Sequence, residues 1–130
     1  MTSRTDNQTY QTGDRIRREV LGNEHVDRSS FNVDEFSRPM QELVTQYCWG
    51  EAWGSDAIDR RTRSLLNVVM MVALDRQHEL ELHTRGAVNN GVTEEELQAA
   101  LIQAMVYCGV PAGMEGFRTV SKVLKAQRRD

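Results

Sequence analysis

Apolar residues recur every three or four positions along most of the chain, which is the spacing of one face of an α-helix. A first helix is predicted at Arg15–Leu21, and Gly22 should end it because glycine adopts the left-handed conformation without steric cost. The polar residues 1–12 are predicted to form a flexible arm. A loop at Asn23–Arg28 should lead to a second helix that ends near Trp49-Gly50. The apolar positions of that second helix are Phe36, Met40, Leu43, Val44 and Tyr47.

The second half of the chain has the clearest signals for helix starts and ends. Asp59 can cap a helix whose run Leu65–Leu74 is apolar nearly all round, so the fold or a partner subunit should bury it. The next helix, from about Arg76 to Asn89, should end at Asn90-Gly91. Thr93-Glu-Glu-Glu96 matches a capping box, in which the hydroxyl and the last carboxylate satisfy free backbone amides at a helix start.

The pattern as a whole predicts an all-α bundle of about six helices. The helix after the capping box should break at Gly109-Val-Pro111, and a last helix carries Phe117, Val120 and Leu124. No convincing strand or hairpin pattern appears. Several long apolar faces on so short a chain predict a homo-oligomer that associates through helix faces, with a compact monomeric bundle as the alternative.

Length and composition narrow the class of protein. A chain of 130 residues, with 39% hydrophobic and 27% charged residues, should form one globular domain, expected at residues 13–130. The net charge of −3 argues against nucleic-acid binding. No apolar run is long enough to cross a bilayer, and the first residues lack a signal-peptide core, so no membrane association and a cytoplasmic location are expected. Cys48 and Cys108, each beside an aromatic residue, are predicted to be buried reduced thiols.

The histidines do not have the spacing of a metal site. His78-Glu79 and His83 suggest a zinc-protease motif, but that motif needs histidines four residues apart. A separation of five places them about 140° apart around a helix. We therefore predict no metal. The chain also lacks a glycine-rich phosphate loop and a Gly-x-Ser-x-Gly elbow.

One helix face remains as a candidate for acid–base chemistry. Arg76, Glu79, His83 and Ala87 follow the spacing i, i+3, i+7 and i+11, which places them on one side of a helix. A solvated, salt-bridged surface would produce the same spacing. The pair formed by Glu81 and Arg85 points roughly the opposite way and makes a better solvent face. Spacing alone leaves open which face is inside, and whether Arg85 faces a site or an interface.

Several segments together resemble the carboxymuconolactone decarboxylase family, over about Gly13 to Leu124. The segments are Arg17–Gly22, His25–Ser29, Trp49–Trp53, Arg60–Leu66, Leu74–Gly91 and Val106–Pro111. This resemblance implies an AhpD-like helical bundle and, as the oligomer, a hexamer. Some members of the wider family carry a Cys-x-x-Cys pair just before the histidine that matches His83. Arg76 and Glu79 occupy those two positions here, so disulfide chemistry is not expected.

The resemblance implies a cofactor-free decarboxylase in aromatic catabolism, acting on a small anionic lactone, 4-carboxymuconolactone, to give β-ketoadipate enol-lactone and CO₂. Electrons left by CO₂ flow through the ring double bond to the lactone carbonyl, so the substrate supplies its own electron sink. The turn after Pro111, Ala112–Gly116, differs from the usual family sequence. If that turn lines the pocket, a changed substrate and an isomerase, cyclase or dehydratase activity become alternatives, beside a non-catalytic binding or assembly protein.

Within this resemblance, individual residues can be given roles. Arg76, and secondarily Arg63, suit a carboxylate anchor because a guanidinium pairs two donors with a carboxylate. His83 suits the proton donor, and Glu79 one turn earlier suits its orienting group. The wall and hydrogen-bonding residues are expected to be Trp49 and Glu51.

Overall fold

A computed structural model describes residues 3–128, and this part of the chain is all-α, as predicted. It contains seven α-helices and no strand, where the sequence pattern predicted about six helices. The helices are α1 (Gln8–Leu21), α2 (Asn23–Phe31), α3 (Arg38–Val44), α4 (Arg60–Ala73), α5 (Gln77–Asn89), α6 (Glu94–Cys108) and α7 (Val110–Arg128). A 3₁₀ turn at Arg4–Asp6 precedes α1, and a π-helical segment, Thr45–Ala52, continues α3. The helices form two compact units, which divide after Asp59.

In the N-terminal unit, α1 packs against the π-helical segment. The two backbones approach so closely that a side chain at Gly13 would overlap the Thr45 carbonyl, and one at Gly50 would overlap the Thr9 carbonyl. Helix α1 starts well before Arg15, because the Asn7 side chain accepts hydrogen bonds from the first free amides. Residues 8–12 of the predicted arm are therefore helical.

Two other boundaries in this unit differ from the predictions. The segment Asn23–Arg28, predicted as a loop, belongs to α2. Val26 is the one buried residue of that helix, so a helical repeat of apolar positions is missing from its sequence. Gly22 separates the two helices at φ 93°, which confirms it as the end of α1. The second helix also runs past Trp49-Gly50, as the π-helical segment, to Ala52.

The C-terminal unit, α4 to α7, has a continuous hydrophobic core. Its fully buried side chains come from all four helices and include Val68, Val72, Leu80, Leu97, Leu101 and Val120. Helix α4 buries only one face in this core. Leu66 and Met70 remain exposed, as does Leu74 just after the helix, so the run of apolar residues has one side buried and one side exposed.

Most of the predicted helix boundaries between α5 and α7 are confirmed. Gly91 adopts φ 88° after α5, and the Thr93–Glu96 capping box opens α6 with both hydrogen bonds formed. Gly109 ends α6 at φ 106°. The prediction of a turn at Ala112–Gly116 is wrong, because α7 begins at Val110. Pro111 lies in the first helical turn, where its missing N–H would have no helical partner in any case.

The prediction that both cysteines are buried is wrong. Cys48 and Cys108 are free thiols, as expected, but both are exposed. Neighbouring residues in a helix point about 100° apart, so an aromatic neighbour in sequence does not show which way a thiol faces. Among residues 3–128, no helix is long and apolar enough to cross a membrane, and no cluster of three or more His, Cys, Asp or Glu side chains could hold a metal.

Candidate active site

His83 lies where α5 packs against α4. Its ring is half-buried, and its Nδ1 atom is 3.4 Å from the side-chain Nδ2 of Asn67 on α4. Glu79 lies one turn before His83 and is exposed. The predicted acid–base pair therefore spans the edge of the helix interface, with the imidazole inside and the carboxylate toward solvent.

Two opposing effects act on the imidazole. Burial lowers the pKa of His83 below its ordinary value, because removing water disfavours the charged form. The negative charge of Glu79 acts in the opposite direction and raises that pKa. Since burial is the larger effect, the neutral imidazole is favoured over the imidazolium in the free protein.

The two arginines nominated as carboxylate anchors lie at different places in the C-terminal unit. Arg63 is half-buried on α4, one turn before Asn67, so the two share a helix face. Arg76 is exposed at the N-cap of α5, two turns before His83. The structure thus brings Asn67 and His83 together at contact distance, and Glu79 and Arg63 follow on the same helix faces.

A hydrogen-bonded turn holds the backbone at Arg76. Asp75, just before it, has φ 56°, a left-handed conformation that a non-glycine residue adopts at a cost. The Asp75 carboxylate accepts a hydrogen bond of 2.8 Å from Gln77 Nε2, and Gln77 Oε1 accepts one from the Thr119 hydroxyl on α7. Strained backbone held by its surroundings is typical of functional sites.

The competing polar face of α5 is a salt-bridged surface. Glu81 accepts a hydrogen bond of 2.7 Å from Lys122 Nζ on α7 and lies 3.8 Å from Arg85. Lys122 and Arg85 are both mostly exposed, and Glu81 is partly exposed. This pairing agrees with the solvent role expected for Glu81 and Arg85, and it leaves the His83 face as the candidate site.

Trp49 and Glu51 lie in the π-helical segment of the N-terminal unit. Trp49 is buried and its ring centroid is 4.8 Å from that of Trp53, whereas Glu51 is exposed. Their roles as wall and hydrogen-bonding residues stay predictions.

Asn67 is the site residue that sequence reasoning missed. It interrupts an apolar run in α4 and is half-buried, between Leu66 and Val68 in sequence. A polar residue inside such a run is itself a signal, because a buried amide needs a hydrogen-bond partner. Spacing within one helix could not identify that partner, since it lies on the next helix.

Helix α4 also borders an apolar groove. It has a volume of about 470 Å³ and runs between α4 and α6. The residues lining it include Leu66, Val69, Met70, Ala104, Tyr107 and Cys108. Tyr107 and Val106 are among the most exposed large apolar residues of this unit.

The described residues form an all-α protein, and its candidate acid–base side chain, His83, lies where α4 and α5 pack together. Residues 38–122 match the model of the Carboxymuconolactone decarboxylase family, and the chain belongs to this family. The predicted family and fold class are thereby confirmed.

Two known relatives match most of the chain, and a third matches part of it. A nitrosuccinic acid decarboxylase from Metarhizium robertsii is 42% identical over 115 residues, which are 88% of this chain and 80% of the relative. A 4-carboxymuconolactone decarboxylase from Acinetobacter baylyi is 38% identical over 120 residues, which are 92% of this chain and 90% of the relative. A protein of the same name from Pseudomonas putida is 37% identical over 46 residues, or 35% of this chain. The names of the relatives support the predicted enzyme class, a carboxy-lyase.

Proposed function

We propose that this chain is a cofactor-independent decarboxylase of small acids that carry a second carboxylate and their own electron sink. The leading substrate is 4-carboxymuconolactone, in agreement with the relative that matches 92% of the chain. The observation that carries the proposal is the half-buried His83, which contacts Asn67 and lies one turn from Glu79. A single acid–base side chain is sufficient because the lactone itself accepts the electrons.

The proposed chemistry needs three contributions from the protein. Arg76 pairs with the carboxylate that is retained, and Arg63 is the second candidate for this role. The carbon–carboxylate bond breaks, CO₂ leaves, and the electron pair moves through the ring double bond to the lactone carbonyl oxygen. His83 then delivers a proton to the α-carbon of that dienolate, and Glu79 favours its return to the protonated form.

Substrate binding should favour the protonated form of His83, which the reaction needs. In the free protein burial lowers its pKa and favours the neutral ring. A bound dianion beside the ring acts like a second Glu79 and raises the pKa again. We expect activity to be lost as pH rises, and the pKa seen in kcat to lie above the pKa seen in kcat/KM, because the former reports the complex.

Nitrosuccinic acid is a second candidate substrate, favoured by the 42% identity to a nitrosuccinic acid decarboxylase. Its nitro group lies on the carbon that loses CO₂ and accepts the electron pair as a nitronate. The second carboxylate and the final protonation at carbon are the same as for the lactone. The same site residues therefore serve either substrate.

Both acids should be supplied to the same enzyme preparation, and CO₂ release and product should be followed in D₂O. We expect CO₂ with one deuterium at the carbon that accepts the proton. Activity should survive removal of metals by exhaustive chelation. If neither acid releases CO₂, the decarboxylase proposal fails for these substrates, and an isomerase, cyclase, dehydratase or non-catalytic binding protein takes its place.

Two variants separate the proposed roles. His83→Gln should lower turnover by about 10²–10⁴, the usual loss for a positioned general acid. The matched control is His78→Gln, which changes an exposed histidine on the same helix and should leave turnover unchanged. Arg76→Ala should raise KM more than it lowers kcat, because a carboxylate anchor acts in the ground state too. Full activity of His83→Gln would refute the proton-donor role.

We also propose a homo-oligomer, a hexamer as the resemblance suggests, that covers the apolar groove between α4 and α6. Support comes from the groove itself and from the exposed Tyr107 and Met70 at its border. Tyr107→Glu should produce smaller species in light scattering across a dilution series, because it would bury a charge. A wild-type protein that is monomeric at micromolar concentration would contradict the proposal.

A cytoplasmic location is part of the same proposal. It agrees with the two free thiols, because free cysteines suit a reducing compartment.

A further inference from the structure

We propose that Asn67 is a positioning residue for His83, and that its side-chain amide holds the imidazole in one orientation through contact with Nδ1. This inference builds on the proposed function, since it gives His83 the chemistry of that reaction. The observation behind it is the 3.4 Å approach between Asn67 Nδ2 and His83 Nδ1, across the interface of α4 and α5.

The hydrogen-bonding properties of the two groups define the arrangement. An amide nitrogen can only donate a hydrogen bond, so the imidazole nitrogen that faces it must accept. In the neutral ring the proton is then on Nε2, since a neutral imidazole has one donor and one acceptor nitrogen. With Nδ2 facing the ring, the amide therefore favours the tautomer of His83 that carries its proton on Nε2.

An amide has a further property that suits a proton donor. When His83 is protonated, both ring nitrogens donate, and Nδ1 needs an acceptor. Rotation of the Asn67 amide by 180° presents Oδ1 in place of Nδ2, with little change of shape. Asn67 can thus hold the ring in the same orientation in both protonation states, whereas a carboxylate would favour only the charged ring.

The charged side chains near the ring come from three helices. On α5 the negative charge of Glu79 acts on His83, and its effect on the pKa is opposite to that of burial. On α4 the charged neighbour of Asn67 is Arg63, one turn earlier. On α7, which also packs against α5, Lys122 pairs with Glu81 on the other face. Asn67 is a neutral group, so it can orient the ring without fixing its charge.

The first test reads the ring directly, without substrate. Long-range ¹⁵N–¹H spectra of the full-length protein distinguish protonated from unprotonated ring nitrogens, and a pH titration gives the pKa of His83. In the wild type, Nδ1 should be the unprotonated nitrogen of the neutral ring. Asn67→Asp should raise the pKa of His83 by about 1–3, the usual effect of an adjacent carboxylate. Asn67→Leu should change the ratio of the two tautomers, because Nδ1 loses its contact with the amide. His25 and His78 serve as internal references in the same spectra and should not shift.

The second test measures CO₂ release by the same variants. Asn67→Leu should lower kcat by about tenfold or more with little change in KM, since a misdirected ring affects the proton transfer rather than binding. Asn67→Asp should move the fall in activity to higher pH, in step with the pKa of His83. If Asn67→Leu is poorly folded, Asn67→Asp keeps the test valid, because it retains the polar group.

The two tests fail independently. If the spectra change as expected but no variant and no wild-type protein releases CO₂, the proposed function is wrong and the positioning role of Asn67 stands. If CO₂ is released normally while the tautomer and pKa of His83 are the same in wild type, Asn67→Asp and Asn67→Leu, the positioning role is overturned.

Discussion

Replacing Gly113 by alanine tests whether the altered segment after Pro111 packs helices or lines a pocket. Gly113 is buried on α7 where that helix crosses α6. A Cβ atom at this position would lie 2.5 Å from Met105 Cβ and 2.7 Å from Met105 Cγ. Carbon atoms in contact are normally about 3.5–4.0 Å apart, so α6 and α7 must separate by about 1 Å to admit a methyl group.

Two opposing contributions determine the size of the effect. Alanine is a better helix former than glycine by about 1 kcal/mol. Overpacking a buried contact costs about 1–3 kcal/mol, and the upper end applies because Met105 Cβ is attached directly to the α6 backbone. The expected net loss for Gly113→Ala is therefore about 2 kcal/mol in the free energy of unfolding. For a chain of this length that corresponds to a fall in Tm of about 6–8 °C.

The assay is urea unfolding followed by circular dichroism at one fixed protein concentration, since an oligomer's stability depends on concentration. Ala99→Gly, at an exposed position of α6, is the control that measures helix propensity alone and should lose about 1 kcal/mol. Combining Met105→Ala with Gly113→Ala should recover part of the loss, because the Cγ contact disappears and the Cβ contact remains. A Gly113→Ala protein more stable than wild type would refute the close contact and return the segment to the list of pocket walls.

Other predictions concern charge and accessibility. Because burial lowers the pKa of His83, the folded protein binds fewer protons than the unfolded chain below the ordinary histidine value of about 6.5. Stability should be full above that pH and fall as the pH drops through the folded-state pKa, and His83→Gln should flatten this part of a stability–pH profile. Hydrogen bonds from the Arg61 guanidinium, and next from Thr93, lower the pKa of Glu96 to about 2. The stability that Glu96 contributes should therefore be present above the ordinary carboxylate pKa and be lost as pH falls toward 2. Acid titration of the unfolding midpoint in Glu96→Gln should lack that decrease. Cys48 and Cys108, both exposed, should react with a thiol reagent without denaturant in a dissociated subunit, and protection of both would contradict the structure.

The sequence predicts a helix boundary well where residues at that boundary determine it. The end of α5 and the start of α6 follow from Gly91 and from the Thr93–Glu96 capping box, all within a few residues. Helix α2 was missed because a helix with one buried residue has no apolar repeat. The start of α7 is harder to predict, because proline breaks the interior of a helix but is tolerated in its first turn, where Pro111 lies.

The candidate site also has features that the sequence predicts and features that depend on packing between helices. The face of α5 that carries Glu79 and His83 could be predicted, because both residues lie on one helix. The neighbour that contacts the imidazole could not, because Asn67 comes from α4, sixteen residues earlier, and only the packing of the two helices brings the atoms to 3.4 Å. The exposed cysteines could not be predicted for a related reason, since which face of a helix is covered depends on its partners.

Under the proposed function, the residues that carry out the reaction differ from those that determine substrate specificity. A substrate with its own electron sink leaves the protein three tasks, which are to pair a carboxylate, to exclude water and to supply a proton. Arg76 meets the first need and His83, positioned by Asn67, meets the last, whether the sink is a lactone carbonyl or a nitro group, because none of these residues has to contact the sink. Discrimination between the two must then arise from the walls around the ring or the nitro group. A change of substrate within this scaffold therefore requires substitutions outside the His83 face, while exchanges at Asn67, Glu79 or His83 should slow the enzyme on every substrate it accepts.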